Sequence, residues 1–97
     1  MKEIKQFYSQ NFDRGKRKKG NIKFVVFHYT GMKTEKSALK RLSDSNSKVS
    51  CHYFIKKNGS IINLVPDLYV SWHAGISNWK KIKNLNKFSI GIEIHNP

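Results

Sequence analysis

Four histidines, one cysteine and one carboxylate stand where proton transfer or metal ligation is chemically open to them: His28, His52, His73, His95, Cys51 and Glu93. His28 follows the apolar stretch Lys23-Phe24-Val25-Val26-Phe27. A titratable ring at the end of a buried strand is where open α/β sheets place functional groups. The competing reading is a core histidine hydrogen-bonded to backbone, the commoner fate of a lone histidine. Glu93 lies inside Ile90-Gly91-Ile92-Glu93-Ile94. Strand alternation puts the three isoleucines on one face and Glu93 on the other with Gly91 and Ser89. A carboxylate there needs a partner, a bound water or solvent, and burial would raise its pKa toward that of a general base. An exposed polar face of a half-buried sheet explains the pattern equally well. His52 alternates with Cys51 and Tyr53 along a strand, and His73 adjoins Trp72 in a loop; pocket lining and plain packing both fit them. Cys51 reads as a small buried hydrophobe. No two histidines have the one-helix zinc spacing H-E-x-x-H, so spacing by itself establishes no metal site.

The elements that must position these groups are short. Residues 22–28 are apolar, β-branched and aromatic, which predicts a buried strand ended by Thr30-Gly31. Thr34 fits a helix N-cap, Glu35 the first turn, and Ala38, Leu39 and Leu42 an apolar stripe, with Lys40 and Arg41 at the C-terminal end of the dipole. Residues 49–56 and 61–65 read as strands joined through Asn58-Gly59, a hairpin that Pro66-Asp67 stops. Residues 70–76 are a short irregular piece, 77–87 a lysine-rich loop, and 88–94 a fourth strand. The expected fold class is α/β, a mixed sheet with a flanking helix. One helix does not cover both faces of such a sheet. Residues 1–21, with the run Arg14-Gly15-Lys16-Arg17-Lys18-Lys19-Gly20, are expected to form a basic N-terminal arm or surface loop.

The chain is 97 residues long, 38% hydrophobic and 12% aromatic, enough for one small domain with a core. No apolar run is long enough to span a membrane, and residues 1–10 contain no apolar core of a secretory signal, which favours the cytoplasm. A single cysteine forms no internal disulfide. The net charge of +13 suits nucleic acid, anionic lipid or an anionic polymer such as bacterial cell wall. The excess is mostly lysine, with only Arg14, Arg17 and Arg41 as bidentate phosphate readers. With no nucleic-acid motif or aromatic ladder, neither nucleic acid nor membrane is expected as a partner.

Five ordered blocks carry more information than any single residue. They are Val26-Phe27-His28-Tyr29-Thr30-Gly31-Met32; Val49-Ser50-Cys51-His52-Tyr53-Phe54-Ile55; Asn58-Gly59-Ser60-Ile61 with Leu64-Val65-Pro66; Ser71-Trp72-His73-Ala74-Gly75; and Asn86-Lys87-Phe88-Ser89-Ile90-Gly91-Ile92-Glu93-Ile94. Together they resemble the N-acetylmuramoyl-L-alanine amidase family, the type shared with peptidoglycan recognition proteins and a phage lysozyme, and within it the AmpD and AmiD branch. The resemblance runs from about Ser9 to Pro97. It implies an incomplete fold of that kind over residues 22–97 and a single zinc ion. The reaction it implies is hydrolysis of the amide between N-acetylmuramic acid and L-alanine in peptidoglycan or its fragments. It makes His28 the first zinc ligand and Glu93 the glutamate that activates water. Trp72, His73 and Ala74 become substrate-cleft residues, and His52 a non-ligand.

In the family, a second histidine ligand, a third ligand (aspartate or cysteine) and an assisting lysine follow the strand that holds Glu93. Nothing in this sequence matches them. The resemblance therefore implies a truncated amidase, inactive as this chain alone and completed by a C-terminal half that could be separately encoded. The alternative is a non-catalytic peptidoglycan-binding module. An incomplete domain of this kind is expected to leave apolar sheet surface bare.

Overall fold

The computed structural model describes residues 4–73, 78–79, 82–83 and 85–96. The elements in chain order are β1 (Ile4–Gln6), a 3-10 turn (Lys19–Asn21), β2 (Phe24–Tyr29), α1 (Glu35–Ser43), β3 (Tyr53–Ile55), β4 (Ile61–Asn63), β5 (Asn78–Trp79), β6 (Ile82–Lys83), a 3-10 turn (Leu85–Phe88) and β7 (Ser89–Ile94). Five strands form a mixed sheet in the order β1-β4-β3-β7-β2, and β5 and β6 form a separate antiparallel pair. In the main sheet only β3 and β4 are antiparallel; β1 with β4, β3 with β7, and β7 with β2 are parallel.

Local chemistry accounts for the main elements. Thr34 caps α1, its hydroxyl accepting from the Ser37 backbone N–H at 3.1 Å, which satisfies one of the helix's orphan donors. Asn58-Gly59 makes the β3–β4 turn, with Gly59 at φ 87°, a conformation glycine adopts without a Cβ clash. Ala38 and Leu42 of α1 pack on Cys51, Phe54, Leu64 and Val65 to form the core. Phe54 and Leu64 are fully buried, each contributing on the order of 1.5–3 kcal/mol of transfer free energy.

Three expectations are corrected. Residues 22–28 were expected to form a strand buried on both faces. β2 instead lies at the sheet edge and alternates, leaving Val25, Phe27 and Tyr29 at 55%, 59% and 67% exposure. The one α-helix among the described residues lies on the opposite face, so this apolar stripe stays exposed. The second correction concerns the expected arm. Residues 4–8 are exposed, as an arm would be, but the described part of the segment is tied into the fold, and even Arg17 of the basic run donates to the carbonyls of Asp67 and Asn86. β1 pairs with β4, and Ser9 and Asn11 are each 2% exposed. Ser9 Oγ donates to the Leu42 carbonyl at 2.6 Å. Asn11 Nδ2 donates to the carbonyls of Asp44 and Val49 at 2.9 and 2.8 Å. Short polar side chains here satisfy the carbonyls at the end of α1, a role that composition does not reveal. The hairpin strands are also shorter than expected, because His52 and Leu64 make single hydrogen bonds at the ends of the ladder rather than continuing it.

Candidate active site

Because β2 and β7 are parallel and in register, His28 stands directly beside Glu93, and Phe54 of β3 flanks Glu93 on its other side. Register partners project to the same face, so His28 and Glu93 share the face covered by α1. They line a cleft of about 200 Å³ whose walls include Met32, Arg41 of α1, Ser50, Trp72 and His73. Burial pushes the Glu93 carboxyl above its usual pKa, while His28 and Arg41 pull it back down. The result is a carboxylate poised to take and release a proton.

His73 lies over β7 at the point where that strand has no side chain. A Cβ added to Gly91 would come within 2.3 Å of His73 Cγ, so the absent side chain is what admits the ring. The His73 backbone N–H donates to Asn86 Oδ1 at 3.1 Å. Its Nε2 is 2.8 Å from Ser89 Oγ, and its Nδ1 is 3.0 Å from His28 Nε2. Burial first, then the charges of His28, His52 and Arg17, bring the His73 pKa to about 3, so the ring is neutral. Trp72 is fixed by its indole N–H, which donates to Asp13 Oδ1 at 2.8 Å.

The remaining candidates separate cleanly. His52 is fully buried. Its Nδ1 accepts from the Gly91 backbone N–H at 3.0 Å, so its ring proton is on Nε2, which donates to the Tyr69 carbonyl at 2.7 Å. Burial and the nearby Arg17 guanidinium lower its pKa to about 4 against the opposing pull of that carbonyl. His52 is therefore a satisfied structural histidine. Cys51 is fully buried and burial raises its thiol pKa, so it is no thiolate ligand. His95 is buried with Nδ1 3.2 Å from Thr30 Oγ1 and does not line the cleft. Ala74 lies outside the described residues. Sequence reading singled out His28, Glu93, Trp72 and His73 but missed Arg41, Ser89 and Gly91. The one available signal was a glycine inside an apolar strand, which marks close approach of another group.

The family model described as N-acetylmuramoyl-L-alanine amidase matches residues 18–97. The chain belongs to this family. It is 43% identical over 82 residues to the N-acetylmuramoyl-L-alanine amidase AmiD of Escherichia coli, covering 77% of this chain and 29% of that protein. It is 27% identical over 111 residues to the 1,6-anhydro-N-acetylmuramyl-L-alanine amidase AmpD of Haemophilus influenzae, covering 97% of this chain and 60% of that protein. Among solved structures, Escherichia coli AmiD in complex with the substrate anhydro-N-acetylmuramic acid-L-Ala-D-gamma-Glu-L-Lys superposes with a TM-score of 0.68 at 42% identity, over 78% of this chain and 31% of that one. An AmpD crystal structure shares the fold at a TM-score of 0.79 and 23% identity, over 99% of this chain and 63% of that one. The mixed five-stranded sheet with its helix is thus the amidase fold in incomplete form. The chain spans less than two thirds of the length of these relatives. Among the described residues, no helix is long and apolar enough to cross a membrane.

The donor chemistry suits zinc in part. Two histidine nitrogens face each other across the cleft floor, and imidazole is a good zinc donor. Among the described residues no group of three or more His, Cys, Asp or Glu side chains converges to hold an ion, whereas a catalytic zinc keeps three protein ligands and one open position.

Proposed function

We propose that this chain provides the sheet face, the first metal ligand and the general base of a zinc-dependent amidase. The substrate is the amide joining N-acetylmuramic acid to L-alanine, in peptidoglycan or in fragments released from it. The observation that carries this reading is the parallel register that sets His28 beside Glu93 in one cleft, in a chain of the amidase family. The relative solved with an anhydromuramoyl peptide supports the substrate class.

His28 would hold the ion through Nε2, the ring nitrogen that faces the cleft partner His73. When bound, zinc supplies a Lewis acid and makes water a competent nucleophile near neutral pH. Glu93 accepts a proton from the attacking water as the new C–O bond forms. It then delivers that proton to the alanine nitrogen as the C–N bond breaks. Its raised pKa fits both halves of that transfer. Trp72, with its N–H tied to Asp13, offers a fixed wall against which the muramoyl-peptide backbone is placed. The family resemblance extends the same substrate-contact role to His73 and Ala74.

In this reading the remaining ligands are contributed in cis or in trans, and the 97 residues tested by themselves are expected to be inactive. That incompleteness also favours a second reading, a peptidoglycan-binding module without hydrolysis. The two are separated by joining the chain to the complementary part of an AmiD relative, loading zinc, and analysing anhydromuramoyl peptide digests by mass spectrometry. The amidase reading predicts free stem peptide beginning at L-alanine, lost in His28→Ala. Retention of intact muropeptide on the protein with no free stem peptide supports the binding module instead.

A further inference from the structure

We propose that Arg41 is a specificity-determining residue of the cleft: its guanidinium fork takes a free carboxylate on the peptide stem of the substrate, in the residue that follows L-alanine. The proposal rests on the reading of this chain as part of an amidase acting on muramoyl peptides, and deepens it by saying which peptides bind best.

Arg41 stands on a helix face that is otherwise apolar. Ala38, Arg41 and Leu42 share one face of α1 through their helical spacing, and all three line the cleft with His28 and Glu93. Ala38 and Leu42 belong to the core, so the face that carries Arg41 is held in place against the sheet. Arg41 itself is exposed. Its aliphatic stem runs along the cleft wall and its charged end reaches the mouth.

The protein leaves that charged end open. Among the described residues the Arg41 guanidinium makes no hydrogen bond or ion pair. Glu93 feels its charge, yet no ion pair joins them. Arg17 is the contrast: its guanidinium is spent on the carbonyls of Asp67 and Asn86. An open arginine fork matches a carboxylate, which it holds through two parallel N–H donors. Lys33 and Lys48, the exposed chain neighbours of the lining residues Met32 and Val49, add charge of the same sign, which draws an anion toward the mouth.

Cleft size indicates which part of the substrate meets Arg41. About 200 Å³ is below the roughly 300–1,000 Å³ of sites that enclose a whole drug-sized ligand. The cleft therefore encloses the scissile amide and its immediate neighbours, and the stem leaves across the rim. In the AmiD complex the peptide is L-Ala-D-gamma-Glu-L-Lys. A γ linkage runs through the glutamate side chain and leaves the α-carboxylate free, in the residue directly after alanine.

The test is an NMR binding titration of the whole 97-residue chain with anhydro-N-acetylmuramoyl-L-Ala-D-γ-Glu-L-Lys, and with the same compound after its glutamate α-carboxylate is converted to the amide. The parent chain should prefer the acid by about 3- to 10-fold, between the worth of an exposed ion pair and that of a sheltered charged hydrogen bond. Arg41→Gln should bind the two alike, and Arg41→Lys, which keeps the charge without the fork, should show a reduced preference. Lys40→Gln removes the same charge one position away, at a residue that does not line the cleft, and should keep the preference. Equal binding of both compounds by the parent, or a preference that survives in Arg41→Gln, overturns the proposal and leaves the amidase reading standing. An equal loss in Lys40→Gln also overturns it, because net charge then explains the preference. Should Arg41→Gln fail to fold, an undiminished preference in Arg41→Lys overturns the fork contact. Binding of neither compound by the parent overturns the substrate reading and the proposal together.

Discussion

Replacing Gly91 with alanine is the sharpest probe of how the cleft is built. The new Cβ would lie 2.3 Å from His73 Cγ, 2.5 Å from Cδ2 and 2.8 Å from Cβ, whereas carbon atoms approach comfortably only to about 3.5 Å. Strand β7 has little freedom to retreat. The Gly91 N–H donates to His52 Nδ1 at 3.0 Å, and its carbonyl accepts from the His52 backbone N–H at 2.9 Å. The His73 ring must then leave its place and break its contacts with Ser89 and His28. Overpacking of this kind costs about 1–3 kcal/mol, and each of the two lost hydrogen bonds about 0.5–1.5 kcal/mol, so a loss of roughly 2–6 kcal/mol is expected. Urea unfolding measures it as a lower midpoint. Gly20→Ala is the control, because an added Cβ there meets nothing within 4 Å; it should stay within about 0.5 kcal/mol of the parent. A Gly91→Ala chain as stable as the parent, with unchanged His73 ring resonances, would refute the placement of His73 over β7.

Two other perturbations test the framework around the cleft. His52 has a pKa of about 4 in the folded chain, below the value of about 6.5 expected when unfolded. The unfolded chain therefore binds the proton first, and stability is retained above pH 6.5 but falls as pH drops from there toward 4. His73, at about 3, acts in the same direction. The slope should approach 1.4 kcal/mol per pH unit for each ring, read from urea midpoints at pH 7, 6 and 5; a flat profile contradicts the buried neutral state of both. Asn11→Ala strands the carbonyls of Asp44 and Val49 and should cost about 1–3 kcal/mol. A neutral result would return residues 4–13 to the status of a loose arm.

The sequence made some of this architecture readable and concealed the rest for physical reasons. β7 and the helix announce themselves through a β-branched run and a capped apolar stripe, because those patterns reflect local burial; β2 is equally legible as a strand, but its apolar run overstated its burial. β1 does not, since Ile4, Lys5 and Gln6 are all exposed on an edge and are held by backbone bonds alone. The roles of Ser9 and Asn11 depend on contacts more than 30 residues away, beyond any local pattern. His28 and Glu93 were each equivocal as single residues; the parallel β2–β7 register that makes them neighbours is a long-range property. Family resemblance drew attention to His73, but its place beside His28 depends on the empty space above Gly91, which only the packed structure displays.

The most direct test of the central claim is the amidase rate of the zinc-loaded, completed domain with Glu93 intact and with Glu93→Gln. The substitution keeps size and removes the proton acceptor. General-base catalysis contributes about 100-fold to 10,000-fold, so stem-peptide release should fall by at least about 100-fold while zinc content and muropeptide affinity hold. A Glu93→Gln protein that hydrolyses within about twofold of the parent, far inside that range, would contradict the assignment of Glu93 as the base.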